Sequence, residues 1–71
     1  METIKLRETD EFIKLGQALK KAGLENSGVD AKMDIQSGLV KVNGEIEERR
    51  GRKLYDGDIF EFNGKQVKVE K

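Results

Sequence analysis

A chain of 71 residues makes one domain with a small core and leaves no room for a deep substrate pocket. With no Cys and no His it has no disulfide framework, no Cys–His nucleophile and none of the usual zinc sites, and no apolar run approaches the ~18 residues of a membrane span. Fourteen basic residues balance fourteen acidic ones, which speaks against a uniformly basic surface, yet residues 14–24 sum to +3 and residues 49–53 to +4.

Thr3–Arg7 alternates apolar and polar residues and reads as a short strand over 3–7. Thr9 or Asp10 is placed to cap a first helix, and Asp10 and Glu11 suit its positive end. Phe12, Leu15, Leu19 and Ala22 recur at helical spacing as one apolar stripe, and Gly23 closes the helix. Lys14, Gln17 and Lys21 fall on its solvent side. Ser27 opens a short second helix, with Asp30 three residues on in the manner of a capping box. Ala31 and Ile35 face inward and Gly38 stops the helix. Asp34, on the flank of the apolar face, has no local explanation.

From Leu39 the period changes to two. Val40 and Val42 flank Lys41, Asn43-Gly44 signals a tight hairpin, and Glu45–Glu48 is the return strand. The run Arg49-Arg50-Gly51-Arg52-Lys53 follows. Leu54–Asp58 reads as a turn, Ile59–Phe62 as a strand, and Asn63-Gly64 as a second hairpin leading to a last strand over 65–69. The order is strand, helix, helix, then strands: an α+β domain. Regularly spaced apolar residues argue against disorder, although charged residues make up 39%.

Few residues suggest catalysis. Asp56 and Asp58 flank Gly57 as turn residues do, and no P-loop or dinucleotide fingerprint is present. The chain is therefore expected to be no enzyme and to need no cofactor or metal. The basic run has two readings. Four cations in five residues repel one another unless an anion is near, and the arginine fork matches phosphate. Alternatively, Glu45, Glu47 and Glu48 neutralise them across the hairpin. Ser27-Gly28 is a plain helix cap or a phosphate-binding helix start, with Lys32 one turn further along. Phe12, Phe60 and Phe62 read as core, leaving Tyr55 alone to stack on a base, which speaks against single-strand binding.

As a set, several blocks resemble a known family. They are Gly23-Leu24, Ser27, Ala31-Lys32, Ile35, Gly38, Val40-Lys41-Val42-Asn43-Gly44-Glu45, Arg49-Arg50-Gly51-Arg52-Lys53-Leu54, Gly57-Asp58 and Phe62. The family is the S-four RNA-binding domain, first of all its small stand-alone bacterial members of the YaaA/YbcJ kind. The resemblance covers a motif core of about residues 10–64 within a single domain over 1–71.

The resemblance implies an αL RNA-binding motif, two helices packed on a small, mainly antiparallel sheet. It implies structured RNA as partner, rRNA or tRNA, with ribosomal particles in reach; the absence of Cys points to a cytoplasmic setting, and a monomer is expected. Carried over by position, the RNA contacts fall on Ser27, Gly28, Lys32, Lys41, Asn43, Arg49, Arg50, Arg52 and Lys53. The chain departs from the broad pattern twice: Asp10-Glu11-Phe12 stands where many members have Arg-Leu-Asp, and Gly28 stands where many have Arg. Two phosphate contacts are thus missing, with the Arg49–Lys53 run to compensate. The alternative to RNA is a protein-docking module that uses the strand over 65–69 as an open sheet edge.

Overall fold

The alternating segments and the two Asn-Gly pairs become strands and tight turns. In the computed structural model, which describes all 71 residues, the elements run β1 (Glu2–Lys5), β2 (Ile13–Lys14), α1 (Leu15–Lys21), α2 (Gly28–Gln36), β3 (Val40–Val42), β4 (Glu45–Ile46), β5 (Lys53–Leu54), β6 (Ile59–Phe62) and β7 (Lys65–Glu70). Asn43 and Gly44 take φ of 51° and 85°, and Asn63 and Gly64 take 57° and 80°. Positive φ at both central residues is the signature of turns whose twist matches the strands they join, and Asn and Gly tolerate it best.

The main sheet has the order β1-β7-β6-β3-β4, antiparallel except where β1 runs parallel to β7. Both helices pack on one face of it. Leu15, Ala18 and Leu19 from α1 and Ala31 and Ile35 from α2 join Ile4, Val40, Val42, Phe60, Val67 and Val69 in one buried cluster. Phe60 lies at its centre, fully buried on the strand between β7 and β3. Truncating such a ring to Ala costs about 3–5 kcal/mol. The α+β arrangement and the mainly antiparallel sheet are as the sequence implies.

Three expectations change. First, α1 starts at Leu15, not after Thr9 or Asp10. Asp10 instead closes a turn, its amide donating to the Arg7 carbonyl (2.9 Å) while its carboxylate accepts from Arg7 Nε (2.8 Å). Phe12 therefore leaves the helical stripe; it is half-buried and stands outside the core cluster. Second, Leu54 belongs to a strand rather than a turn. It pairs with Ile13 in a separate two-residue ladder, with Lys53 opposite Lys14. Third, the strand expected over 65–69 is no edge. β7 is hydrogen-bonded on both sides, to β6 and to β1, and the edges are β1 and β4. A docking mode through β7 has no free backbone to use.

The helices end as read. Ser27 caps α2, its Oγ accepting from the Asp30 amide at 3.2 Å, and Gly38 follows with φ of 80°. Asp34 finds its explanation across the elbow between the helices. It meets Glu25, whose pKa rises from 4.5 to about 7, through burial first and then through its hydrogen bond with Asp34 and the charges of Asp34 and Asp30. One Glu25 carboxyl oxygen is buried with no donor. Glu25 therefore keeps its proton to higher pH than an ordinary carboxyl group does, with Asp34 beside it at the elbow.

Candidate nucleic-acid interface

The basic run is organised by one acid. Glu47 follows β4, its amide donating to the Val40 carbonyl at 2.9 Å, and its side chain turns inward until the residue is 7% exposed. Its carboxylate accepts from Arg49 Nε at 2.9 Å, Arg49 Nη2 at 3.0 Å, the Arg49 amide at 3.1 Å and Arg52 Nη1 at 2.6 Å. These bonds, Arg49's first, hold the Glu47 pKa down at about 2 against the burial that would raise it. The same contact raises the Arg49 pKa. Of the three acids that could neutralise the run, Glu47 alone does so; Glu45 and Glu48 are exposed and form no ion pair. Arg49 and Arg52 thus share one negative charge, while Arg50 and Lys53 pair with no acid.

The folded loop then serves as the cap of α1. The N-cap position is Lys14, which makes no side-chain cap. The first amides of the helix are satisfied at long range: Leu15 donates to the Arg52 carbonyl at 2.8 Å and Gly16 to the Arg50 carbonyl at 3.1 Å. Gly16 permits this approach, since a Cβ there would stand 2.9 Å from Arg50 Cγ. The loop position is thereby fixed to the helix start, and Arg50 is laid across it.

A notch of about 320 Å³ results between the two helix starts and the loop, lined by Lys14, Gly16, Gln17, Lys20, Gly28, Arg50 and Gly51. It holds three cations and no acid or apolar side chain. Three like charges converging on one hollow repel unless an anion lies between them. Lys20 Nζ lies 3.8 Å from where a Cβ on Gly28 would stand, an ordinary contact distance that sets the Lys20 ammonium beside the start of α2. There the first helical amides have no intrahelical acceptor.

A second, shallower hollow adjoins the notch through Gly51 and is lined by Arg49, Arg52, Lys53 and Tyr55 as well. Beside it the Tyr55 and Phe12 rings pack at 5.8 Å between centroids, tilted by 52°, and Lys53 Nζ sits 4.8 Å over the Phe12 ring. This is a cation–π contact.

The fold gathers some of the expected residues and separates others. Gly28 and Arg50 share the notch, and Arg49, Arg52 and Lys53 share the adjoining hollow. Ser27 caps α2 at the border of the notch. Lys32 is exposed further along α2 and lines neither hollow. Lys41 lies between buried Val40 and Val42, so it points to the outer face of the sheet, opposite Ile46 and Glu61 in register. Asn43 is structural: its Nδ2 donates to Asp58 Oδ1 at 3.1 Å and its Oδ1 accepts from the Ile59 amide at 2.9 Å. Lys14, Gln17 and Lys20 were not among the expected contacts. Their three-residue spacing within the +3 block over 14–24 was the available signal.

The family model described as "S4 domain" matches residues 4–70. The chain belongs to the S4 domain family. Among relatives, it is 50% identical over 54 residues to "Probable ribosome maturation protein RlbA" of Bacillus subtilis (strain 168), covering 76% of each protein. It is 39% identical over 57 residues to YbcJ of Escherichia coli (strain K12), covering 80% of this chain and 81% of that one. The solution structure of E. coli YbcJ, described as revealing an αL motif involved in RNA binding, superposes with a TM-score of 0.74 at 35% identity, over 100% of this chain and 89% of that one. The S4 domain fold therefore spans the two helices, the basic loop and the sheet described above.

Proposed function

We propose that this chain is a non-catalytic RNA-binding protein that grips structured RNA, rRNA or tRNA, by its sugar–phosphate backbone. The observation that carries the reading is the acid-free notch in which Lys14, Lys20 and Arg50 converge between the two helix starts. Double-stranded RNA offers shape and backbone rather than readable base edges, which suits a small cationic hollow without apolar walls. Arg49, Arg52 and Lys53 extend the positive surface past Gly51, with part of the arginine charge already spent on Glu47. The neutral total charge poses no obstacle, because no acid lines the notch itself, and Asp10 and Glu11 in the neighbouring hollow are paired with Arg7 and Lys71.

The names of the relatives support a role at the ribosome: one is named a ribosome maturation protein, and the αL motif of the other is described as involved in RNA binding. On this reading the protein acts as a cytoplasmic monomer on ribosomal particles or their RNA. Lys14, Lys20, Gly28 and Arg50 form the phosphate seat, Ser27 positions the start of α2, and Lys53 with the two paired arginines guides the flanking strand.

The test is the salt dependence of binding to an RNA stem-loop. Replacing Lys14, Lys20 and Arg50 by Gln should lower the slope of log affinity against log salt by about 2–3, the value for three lost phosphate contacts. An unchanged slope in a folded variant overturns the notch as the RNA seat.

A further inference from the structure

Tyr55 is an exposed aromatic residue on a rigid turn. Its amide donates to Asp58 Oδ2 at 2.7 Å, and the Asp58 amide donates back to the Tyr55 carbonyl at 3.0 Å. Asp58 is itself held by Asn43 Nδ2. The turn is therefore tied to the β3–β4 hairpin, and the backbone carrying the ring has little freedom. The residue is nevertheless 48% exposed. A buried role does not account for it.

Its surroundings are specific. On one side the tilted Phe12 ring supports it. Lys53 lies over Phe12, so the cation covers that ring and not Tyr55. Tyr55 also borders the hollow lined by Arg49, Gly51, Arg52 and Lys53. No acid lines that hollow: Glu47 is covered by the two arginines that bond to it, and Asp58 is engaged by the Tyr55 amide and by Asn43. An exposed aromatic residue thus shares a hollow with three cations, and that hollow meets the phosphate notch at Gly51.

We infer that Tyr55, braced by Phe12, is a stacking seat for an unpaired nucleobase whose flanking phosphates lie against Arg49, Arg52 and Lys53. The inference rests on the RNA reading above and sharpens it: the preferred RNA carries an unpaired nucleotide beside the segment held in the notch. Every base has a π-face, so such a seat is tolerant of sequence. A base that is already unpaired needs no energy to leave a duplex stack, which favours loops, bulges and single-stranded ends over paired stems. The reading of Phe12 as core hid this feature in the sequence.

The chain has one Tyr and no Trp, so its intrinsic fluorescence reports on this ring alone. The experiment compares a short oligoadenylate with an abasic ribose-phosphate oligomer of equal length and charge. Oligoadenylate should quench Tyr55 and bind about 5- to 150-fold more tightly than the abasic oligomer, the gain expected for one stacked base. With labelled oligomers, Tyr55→Phe should keep that preference and Tyr55→Ala should lose it, with unchanged thermal midpoints. Equal affinity for the two oligomers, or a preference that survives Tyr55→Ala, overturns the stacking seat. The phosphate reading fails separately: there, binding to the stem-loop is insensitive to Lys14, Lys20 and Arg50. If neither oligomer binds at low salt, the seat is refuted even where the stem-loop still binds.

Discussion

Two glutamates in this small fold meet opposite fates. Glu47, at the root of the basic loop, faces two guanidinium groups and has its pKa drawn down to about 2. Glu25, at the elbow between the helices, faces Asp34 and has its pKa pushed up to about 7. Both lose water, and burial alone would raise both. The partners decide the sign. Glu47 is an anion that orders cations. Glu25 is an acid that keeps its proton so that two carboxyl groups can sit together. The loop is thus fixed by charge, whereas the elbow brings two acids together, and only the loop has positive charge left over for a ligand.

Among the charged residues, breaking Glu47 should have the largest effect on stability. Glu47→Ala leaves Arg49 and Arg52 without their acceptor and loosens the loop that caps α1. We expect a loss of about 2–4 kcal/mol, read by urea or thermal unfolding. For a domain of this size that is a large share of a total of about 4–10 kcal/mol. The pH dependence follows from the depressed pKa. The unfolded chain binds a proton at Glu47 near pH 4.5, whereas the folded one does so only near 2. This contribution is fully present above the higher value and is lost as pH falls toward the lower one. Glu47→Gln should remove that part of the acid transition.

Glu25 should give the opposite sign and a smaller effect. Between about pH 4.5 and 7 the folded state holds the Glu25 proton more tightly than the unfolded state does. Its contribution therefore falls as pH rises through this window. Glu25→Gln, which supplies a permanent donor to Asp34, should stabilise the protein by about 1–2 kcal/mol above pH 7 and leave it nearly unchanged near pH 4. Destabilisation at both pH values would show that a retained proton on Glu25 is not what lets the two acids meet at the elbow.

The smallest effect on stability should come from Arg50. Arg50→Ala removes an unpaired cation and should shift stability by no more than about 0.5 kcal/mol, whereas Arg49→Ala strips Glu47 of several bonds and should lower the unfolding midpoint further. In RNA affinity the order should reverse, with Arg50 the costlier loss. A matching order in both measurements would mean that the loop charges are not divided into holding and binding roles.

Much of this fold can be read locally. Both Asn-Gly turns, the Ser27 cap and the alternating strands are properties of neighbouring residues and appear in the structure, although the return strand read over Glu45–Glu48 stops at Ile46 and the first strand, read over 3–7, spans Glu2–Lys5. The start of α1 was not legible, because its amides are capped by the carbonyls of Arg50 and Arg52, more than thirty positions along the chain. Thr9 and Asp10 are residue types that cap helices, but here Asp10 is engaged with Arg7. The pairing of β1 with β7 joins opposite ends of the sequence, so no local pattern could show that β7 is internal. The basic loop announced a site by charge alone. Which of its cations Glu47 would hold, and that Lys14 and Lys20 would join Arg50, depended on how the helices and loop dock.

The central claim is that RNA lies in the notch between the two helix starts. Titrating the isotopically labelled protein with an RNA stem-loop and following its backbone amides by NMR tests this most directly. The account predicts that the largest shifts cluster at Gly16, Gln17, Gly28 and Gly51, with little change around Lys41 and Glu61 on the outer sheet face. Shifts centred on that outer face or on the β1 edge, with the notch amides unmoved, would contradict it.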